Sequence, residues 1–80
     1  MHQEINKLIL YTTQGCHLCE HAEQLLQEKG LAFESIDIAC EAHLLKKFGV
    51  RIPVVQTKGG RELQWPFDGS MLSAFIDSGS

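Results

Sequence analysis

The hydrophobic period of this chain changes twice between residues 8 and 38, and that succession leaves few folds open. Leu8-Ile9-Leu10-Tyr11 is a continuous apolar run ending in Thr12-Thr13-Gln14-Gly15, the pattern of a strand buried on both faces and closed by a loop. From Cys16 the period becomes helical. Leu18, Ala22, Leu25, Leu26 and Lys29 recur on one side, polar residues fill the other, and Gly30 supplies the stop. Leu31 to Ile38, with Phe33, Ile36 and Ile38, returns to a β-compatible pattern. Two strands joined through a helix form a crossover, which makes them parallel.

The second half continues the alternation. Ala42, Leu44, Leu45 and Phe48 mark a short amphipathic helix ended by Gly49, with Lys46 and Lys47 in its last turn, where cations suit the helix dipole. Ile52–Thr57 and Arg61–Trp65 are strand candidates separated by Lys58-Gly59-Gly60, whose glycines provide the positive φ of a tight antiparallel hairpin. Asp68 is a good N-cap for a final helix with the stripe Met71, Leu72, Phe75 and Ile76, and residues 77–80 read as a frayed tail. The expected order is β-α-β-α-β-β-α, a single α/β domain over residues 1–80. A chain of this size buries only about 60% of its unfolded surface, so its core is modest.

Charge and cysteine usage narrow the function. A formal charge of -3 argues against nucleic acid as a partner. No run approaches the roughly 18 apolar residues of a membrane span, and Met1–Lys7 has no basic stretch leading into an apolar one. A cytoplasmic location is therefore expected. Three cysteines in such a context point to reactive thiols or metal ligands rather than a structural disulfide framework.

Two of them stand in Cys16-His17-Leu18-Cys19, at the junction of the first strand and helix. The thiolate is the reactive form, and an unperturbed cysteine is only about 3% ionised at pH 7. A helix N-terminus supplies positive potential. Cys16, before the helical stripe, is the candidate nucleophile, with an expected pKa of roughly 6 to 7.5. Cys19 returns to the same face one turn later and is the candidate resolving thiol. His17 would favour the Cys16 thiolate if protonated, and Glu20 would oppose it. The competing readings are small buried residues and a zinc site completed by His17 or His21 with Cys40. The zinc reading lacks a second CxxC or HxxxH cluster. Cys40 itself is expected to be buried as a small apolar residue.

Beyond the CxxC, the stretches Gly49-Val50-Arg51-Ile52-Pro53-Val54-Val55 and Phe67-Asp68-Gly69 complete a pattern that resembles the small glutaredoxin-like proteins of the thioredoxin-like superfamily. The resemblance covers nearly the whole chain. It implies a four-stranded mixed sheet flanked by helices, an exposed nucleophile at Cys16, a resolver at Cys19, and a cis peptide between Ile52 and Pro53. It also implies that Ile52 offers main-chain hydrogen bonds to an extended substrate. Classical glutaredoxins carry proline and an aromatic between the cysteines, a basic residue shortly before them, and Gly-Gly before the last helix. Here His17-Leu18, Thr12-Thr13-Gln14-Gly15 and Trp65-Pro66-Phe67-Asp68-Gly69-Ser70 stand at those places.

The expected activity is thiol-disulfide exchange on a protein disulfide or a mixed disulfide with glutathione. No tightly bound cofactor is expected, glutathione is a candidate reductant or cosubstrate, and the protein is expected to be a monomer. Free amides at Gly69, Ser70 and Met71 would attract a carboxylate, with Asp68 capping the same helix, and Arg51 would pair with another carboxylate. The rival reading keeps the fold without catalysis, as a domain that holds a metal or iron-sulfur centre through the cysteines or docks a protein at the Pro53 groove.

Overall fold

The computed structural model describes residues 7–78. Its elements follow the expected order: β1 (Leu8–Thr12), α1 (His17–Glu28), β2 (Phe33–Asp37), α2 (Ala42–Phe48), β3 (Val54–Gln56), β4 (Glu62–Gln64) and α3 (Gly69–Ser78). The strands form one mixed sheet of order β2-β1-β3-β4. β1 runs parallel to β2, as the crossover requires, and the β1–β3 and β3–β4 pairs are antiparallel.

The apolar run at β1 is explained by a layer on each side of it. Side chains alternate across a strand, so Leu8 and Leu10 join Val55 against Ala22, Leu26, Leu72 and Phe75, the buried faces of α1 and α3. Tyr11 points the other way with Val54 and meets Phe48 and Ile38. The Tyr11 and Phe48 rings stack with centroids 4.3 Å apart. α2 thus covers the opposite face from α1 and α3, and β1 is buried on both sides.

Several local expectations are corrected. β2 stops at Asp37, because the Asp37 carboxylate accepts the Ala39 N–H at 2.9 Å and folds Ile38–Cys40 into a single 3-10 turn. That turn sends Ile38 into the core and leaves Cys40 exposed, contrary to the burial expected of Cys40. β3 and β4 are shorter than the sequence pattern suggested. In the hairpin between them only Gly60 takes a positive φ, 95°, while the Gly60 N–H donates to the Thr57 carbonyl at 2.9 Å. Asp77 and Ser78 continue α3 rather than fraying, and residues 79–80 lie outside the described residues, as does most of the N-terminal stretch Met1–Lys7. The Ile52–Pro53 peptide is cis, as the resemblance implied, and Trp65–Pro66 is a second cis bond that nothing in the sequence analysis anticipated.

Among the described residues, no helix is long and apolar enough to cross a membrane.

Candidate active site

The strand registers gather the chemistry at one end of the sheet. Thr12 is level with Asp37, Tyr11 with Val54, and Val54 with Gln64. The loop carrying Cys16 leaves β1 at that end, the Ile38–Cys40 turn leaves β2 there, Ile52-Pro53 enters β3 there, and Trp65-Pro66 follows β4 there. In open α/β sheets this is the edge where ligands and reactive groups collect.

Gly15, at φ 76°, turns the chain from strand to helix, a conformation a side chain at that position would resist. Cys16 is then the N-cap of α1, with extended backbone, and its sulfur accepts the Cys19 N–H at 3.1 Å. The Cys16 carbonyl accepts the first helical bond from the Glu20 N–H at 3.2 Å. A helix-end amide donating to sulfur favours a thiolate over a thiol. Cys16 is half-buried and Cys19 is 2% exposed. The two sulfurs are in disulfide contact, with Cα atoms 5.2 Å apart, inside the span a disulfide bridges.

The residues around the pair differ in what they can contribute. The His17 side chain is 95% exposed, with Nδ1 4.0 Å from a Glu20 carboxylate oxygen, so solvent screens whatever charge it carries. Leu18 is half-exposed beside it. His21, one turn further along α1, lies 5.4 Å from the Trp65 ring, which in turn meets Phe67 edge-on at 5.0 Å. Trp65 and Phe67 therefore build an aromatic wall from β4 to α1. Pro53 is buried and its carbonyl accepts the Trp65 N–H at 3.1 Å, while the Ile52 N–H donates to the Phe48 carbonyl at 3.2 Å. The Ile52 amide hydrogen is thus already engaged within the chain.

Arg51, Asp68 and Gly69 are placed differently from the cysteines. The Arg51 guanidinium donates to Glu62 at 2.8 Å and to Gln64 at 2.9 Å, so its donors serve β4. Lys47 approaches the other Glu62 oxygen at 3.5 Å. The hydrogen bond from Arg51 foremost, helped by the Lys47 charge, holds the Glu62 carboxyl below its ordinary value against the opposing effect of burial. Asp68 caps α3, accepting the Met71 N–H at 2.9 Å. Gly69 faces the Lys29 side chain at the C-terminal end of α1. Among the described residues, no hydrogen bond or ion pair ties Arg51, Asp68 or Gly69 to the cysteines, and no group of three or more His, Cys, Asp or Glu side chains is arranged to hold a metal ion.

The Glu62 carboxylate, which gathers Arg51 and Lys47, escaped the sequence analysis. Its only sequence signal is the i, i+2 placement of Glu62 and Gln64 on one face of a short strand.

Comparison with known proteins places these features in a wider set. The family model described as Glutaredoxin-like domain (DUF836) matches residues 7–77. The crystal structure of protein XcR50 from X. campestris is 43% identical, covers 89% of this chain and 96% of its own, and superposes with a TM-score of 0.84. The solution structure of protein Ne2328 from Nitrosomonas europaea is 31% identical, with coverage of 94% and 95% and a TM-score of 0.71. The fold is thus the thioredoxin-like one. An N-acetyl-S-hydroxy-L-cysteine reductase of Bacillus subtilis is 32% identical over 66 residues, 76% of this chain and 71% of that protein. Hybrid peroxiredoxin hyPrx5 of Haemophilus influenzae is 39% identical over 44 residues, 55% of this chain but only 18% of the longer relative.

Proposed function

We propose that this chain, which belongs to the glutaredoxin-like domain family (DUF836), is a dithiol oxidoreductase in which Cys16 attacks and Cys19 resolves. A redox-type role is supported by the family, by relatives named as a reductase and a hybrid peroxiredoxin, and by the cysteine pair itself. The observation that carries the finer assignment is the asymmetry of that pair. Cys16 caps a helix and is open to solvent on part of its surface, whereas Cys19 is sealed at 2% exposure. Only the first can meet a bulky substrate, and only the second is held within reach of the product of that attack.

The cycle balances without a bound cofactor. The Cys16 thiolate forms a bond to one sulfur of a substrate disulfide, the substrate S–S bond breaks, and the partner sulfur leaves as a thiolate. Cys19, deprotonated, then attacks the Cys16 sulfur, releasing the second substrate thiolate and leaving the Cys16–Cys19 disulfide. Two electrons, from two glutathione thiols that leave as glutathione disulfide or from one protein dithiol that is oxidised to its disulfide, restore the reduced pair. His17 tunes this step only weakly, since its side chain lies in solvent. The protein acts as a monomer in the cytoplasm on this reading.

A second substrate class has a specific observation behind it, the Bacillus subtilis relative named for an S-hydroxycysteine derivative. A sulfenic acid fits the same site. The Cys16 thiolate attacks the substrate sulfur, hydroxide leaves and takes a proton as water, and Cys19 resolves the mixed disulfide as before.

Equilibration in glutathione buffers from about -120 to -300 mV, with free thiols counted, tests the reading. A reversible two-electron transition is expected in wild type and absent in Cys16→Ser, while Cys19→Ser accumulates a mixed disulfide. No transition anywhere in that range would overturn the dithiol mechanism. Metal analysis of protein purified under reducing conditions addresses the rival binding role, which a stoichiometric metal would favour.

A further inference from the structure

We infer that Arg51 is a positioning residue, clamped by Glu62 and Gln64 so that its guanidinium fixes the Ile52–Pro53 segment at the end of the sheet from which the Cys16 loop leaves. The inference rests on the dithiol reading above only in what the segment is for. That the clamp holds the segment follows from the geometry.

The segment is anchored by the buried Pro53 and by Ile52 packed against the Tyr11, Ile38, Phe48 and Val54 cluster; the residues before them are held by polar contacts. Between the end of α2 at Phe48 and the start of β3 at Val54 the chain crosses the sheet end as a loop. Its main chain is held by the Gly49 donation to the Leu45 carbonyl at 2.9 Å, by two donations to the Phe48 carbonyl, from Arg51 at 2.8 Å and Ile52 at 3.2 Å, and by the Trp65 donation to Pro53. Val50 is fully exposed and contributes no packing. Among the described residues, the side-chain hydrogen bonds from this loop to β4 are those of Arg51. Its Nε donates to Gln64 at 2.9 Å and its Nη2 to Glu62 at 2.8 Å, a two-pronged attachment that a planar guanidinium makes and an ammonium does not. The guanidinium carbon also sits 5.1 Å from the centre of the Phe48 ring.

The acceptors are themselves fixed. Glu62 Oε2 is approached by Lys47 at 3.5 Å and accepts from Gln56 Nε2 at 3.5 Å, and Gln56 accepts the Tyr11 hydroxyl at 2.7 Å. Tyr11 is the last buried residue of β1 before the Cys16 loop. One hydrogen-bonded path thus runs from β1 through β3 and β4 to the residue preceding Ile52. Networks of this kind are more rigid than their separate bonds. Arg51, only 30% exposed at its side chain, is spent on this path rather than on solvent, so its role is reassigned from substrate carboxylate partner to support of the backbone the substrate meets.

Two measurements on Arg51→Met and Glu62→Gln separate positioning from plain stabilisation. In Arg51→Met, KM for a disulfide-bonded peptide is expected to rise about tenfold, equivalent to about 1.4 kcal/mol, with kcat changed less than threefold, and Glu62→Gln should fall between. Native-state hydrogen exchange at the Ile52 and Trp65 amides should accelerate by a similar factor, with Leu10 unaffected. An unchanged KM in an active enzyme whose melting temperature alone has fallen would overturn the inference, and so would unchanged exchange at Ile52 and Trp65. If wild type reduces no disulfide, the functional reading fails and exchange alone decides whether Arg51 positions the segment.

Discussion

Replacing Cys16 with serine should make the reduced protein more stable while removing its chemistry. The Cys16 sulfur caps α1 through one hydrogen bond, from the Cys19 N–H at 3.1 Å, and sulfur is a weak acceptor. Serine is among the preferred N-caps, and losing a good cap to alanine costs about 1 kcal/mol, range roughly 0.5–2. With the thiol protonated near pH 5.5, Cys16→Ser should therefore exceed the reduced wild type by about 0.5–1 kcal/mol, and Cys16→Ala should fall below Cys16→Ser by about 1 kcal/mol. For a domain of this length 1 kcal/mol moves the melting temperature by about 4–8 °C. Raising the pH reverses the first comparison. A folded-state pKa depressed at Cys16 contributes stability that builds as pH rises through the folded value and is complete above the unfolded one, about 1.4 kcal/mol per unit of depression. The wild type should gain on Cys16→Ser between pH 5.5 and 9. Circular dichroism melts in excess reductant at both pH values make the measurement. Coincident melts of Cys16→Ser and Cys16→Ala would refute the cap, and a wild-type deficit that fails to shrink with pH would refute the stabilised thiolate.

Other consequences are checked more briefly. In the reduced native protein a thiol reagent should modify Cys40 fast, Cys16 with an inflection below that of a free thiol, and Cys19 only on unfolding, since Cys40 is exposed and Cys19 buried; peptide mapping of the label decides the order. Glu62, held below its ordinary value by Arg51, contributes stability present at neutral pH and lost as pH falls through its lowered folded value, so Glu62→Gln should flatten the acid limb of a urea-midpoint profile below about pH 4.5. Phe48→Ala should cost about 3–5 kcal/mol, much of the roughly 4–12 kcal/mol expected of 80 residues, because the ring is buried against Tyr11 and under the Arg51 and Lys47 cations; chemical denaturation reads it.

What the sequence disclosed and what it withheld divide along physical lines. The β1 run, the helical stripe after Cys16 and the Gly-Gly hairpin are local patterns, and each became the element its period implied. Cys16 at the helix start was legible for the same reason, since the change of period there is local. Cys40 was misjudged because its exposure follows from a side-chain bond, Asp37 to Ala39, that turns the chain at the end of β2. Arg51 looked free because Glu62 and Gln64 lie more than ten residues off and meet it only after β3 and β4 pair. The second cis peptide at Pro66 has no local signature beyond the proline itself. The final helix outran the expected tail because its end carries no proline and no strong break before Gly79.

Among the described residues the sheet ends on β2 and β4, and how these edges are guarded bears on how the protein behaves at high concentration. β2, the longer edge strand, carries exposed Glu34 and Ser35 on its two faces, with Lys7 4.0 Å from Glu34, so an approaching strand would meet charge before it could pair. β4, the other edge, is three residues long and spends Glu62 and Gln64 on Arg51. Short or charged edges are poor templates for strand addition. Cys16 thus stays partly open at the end of the sheet while the sides of the sheet are poor templates for joining into fibrils.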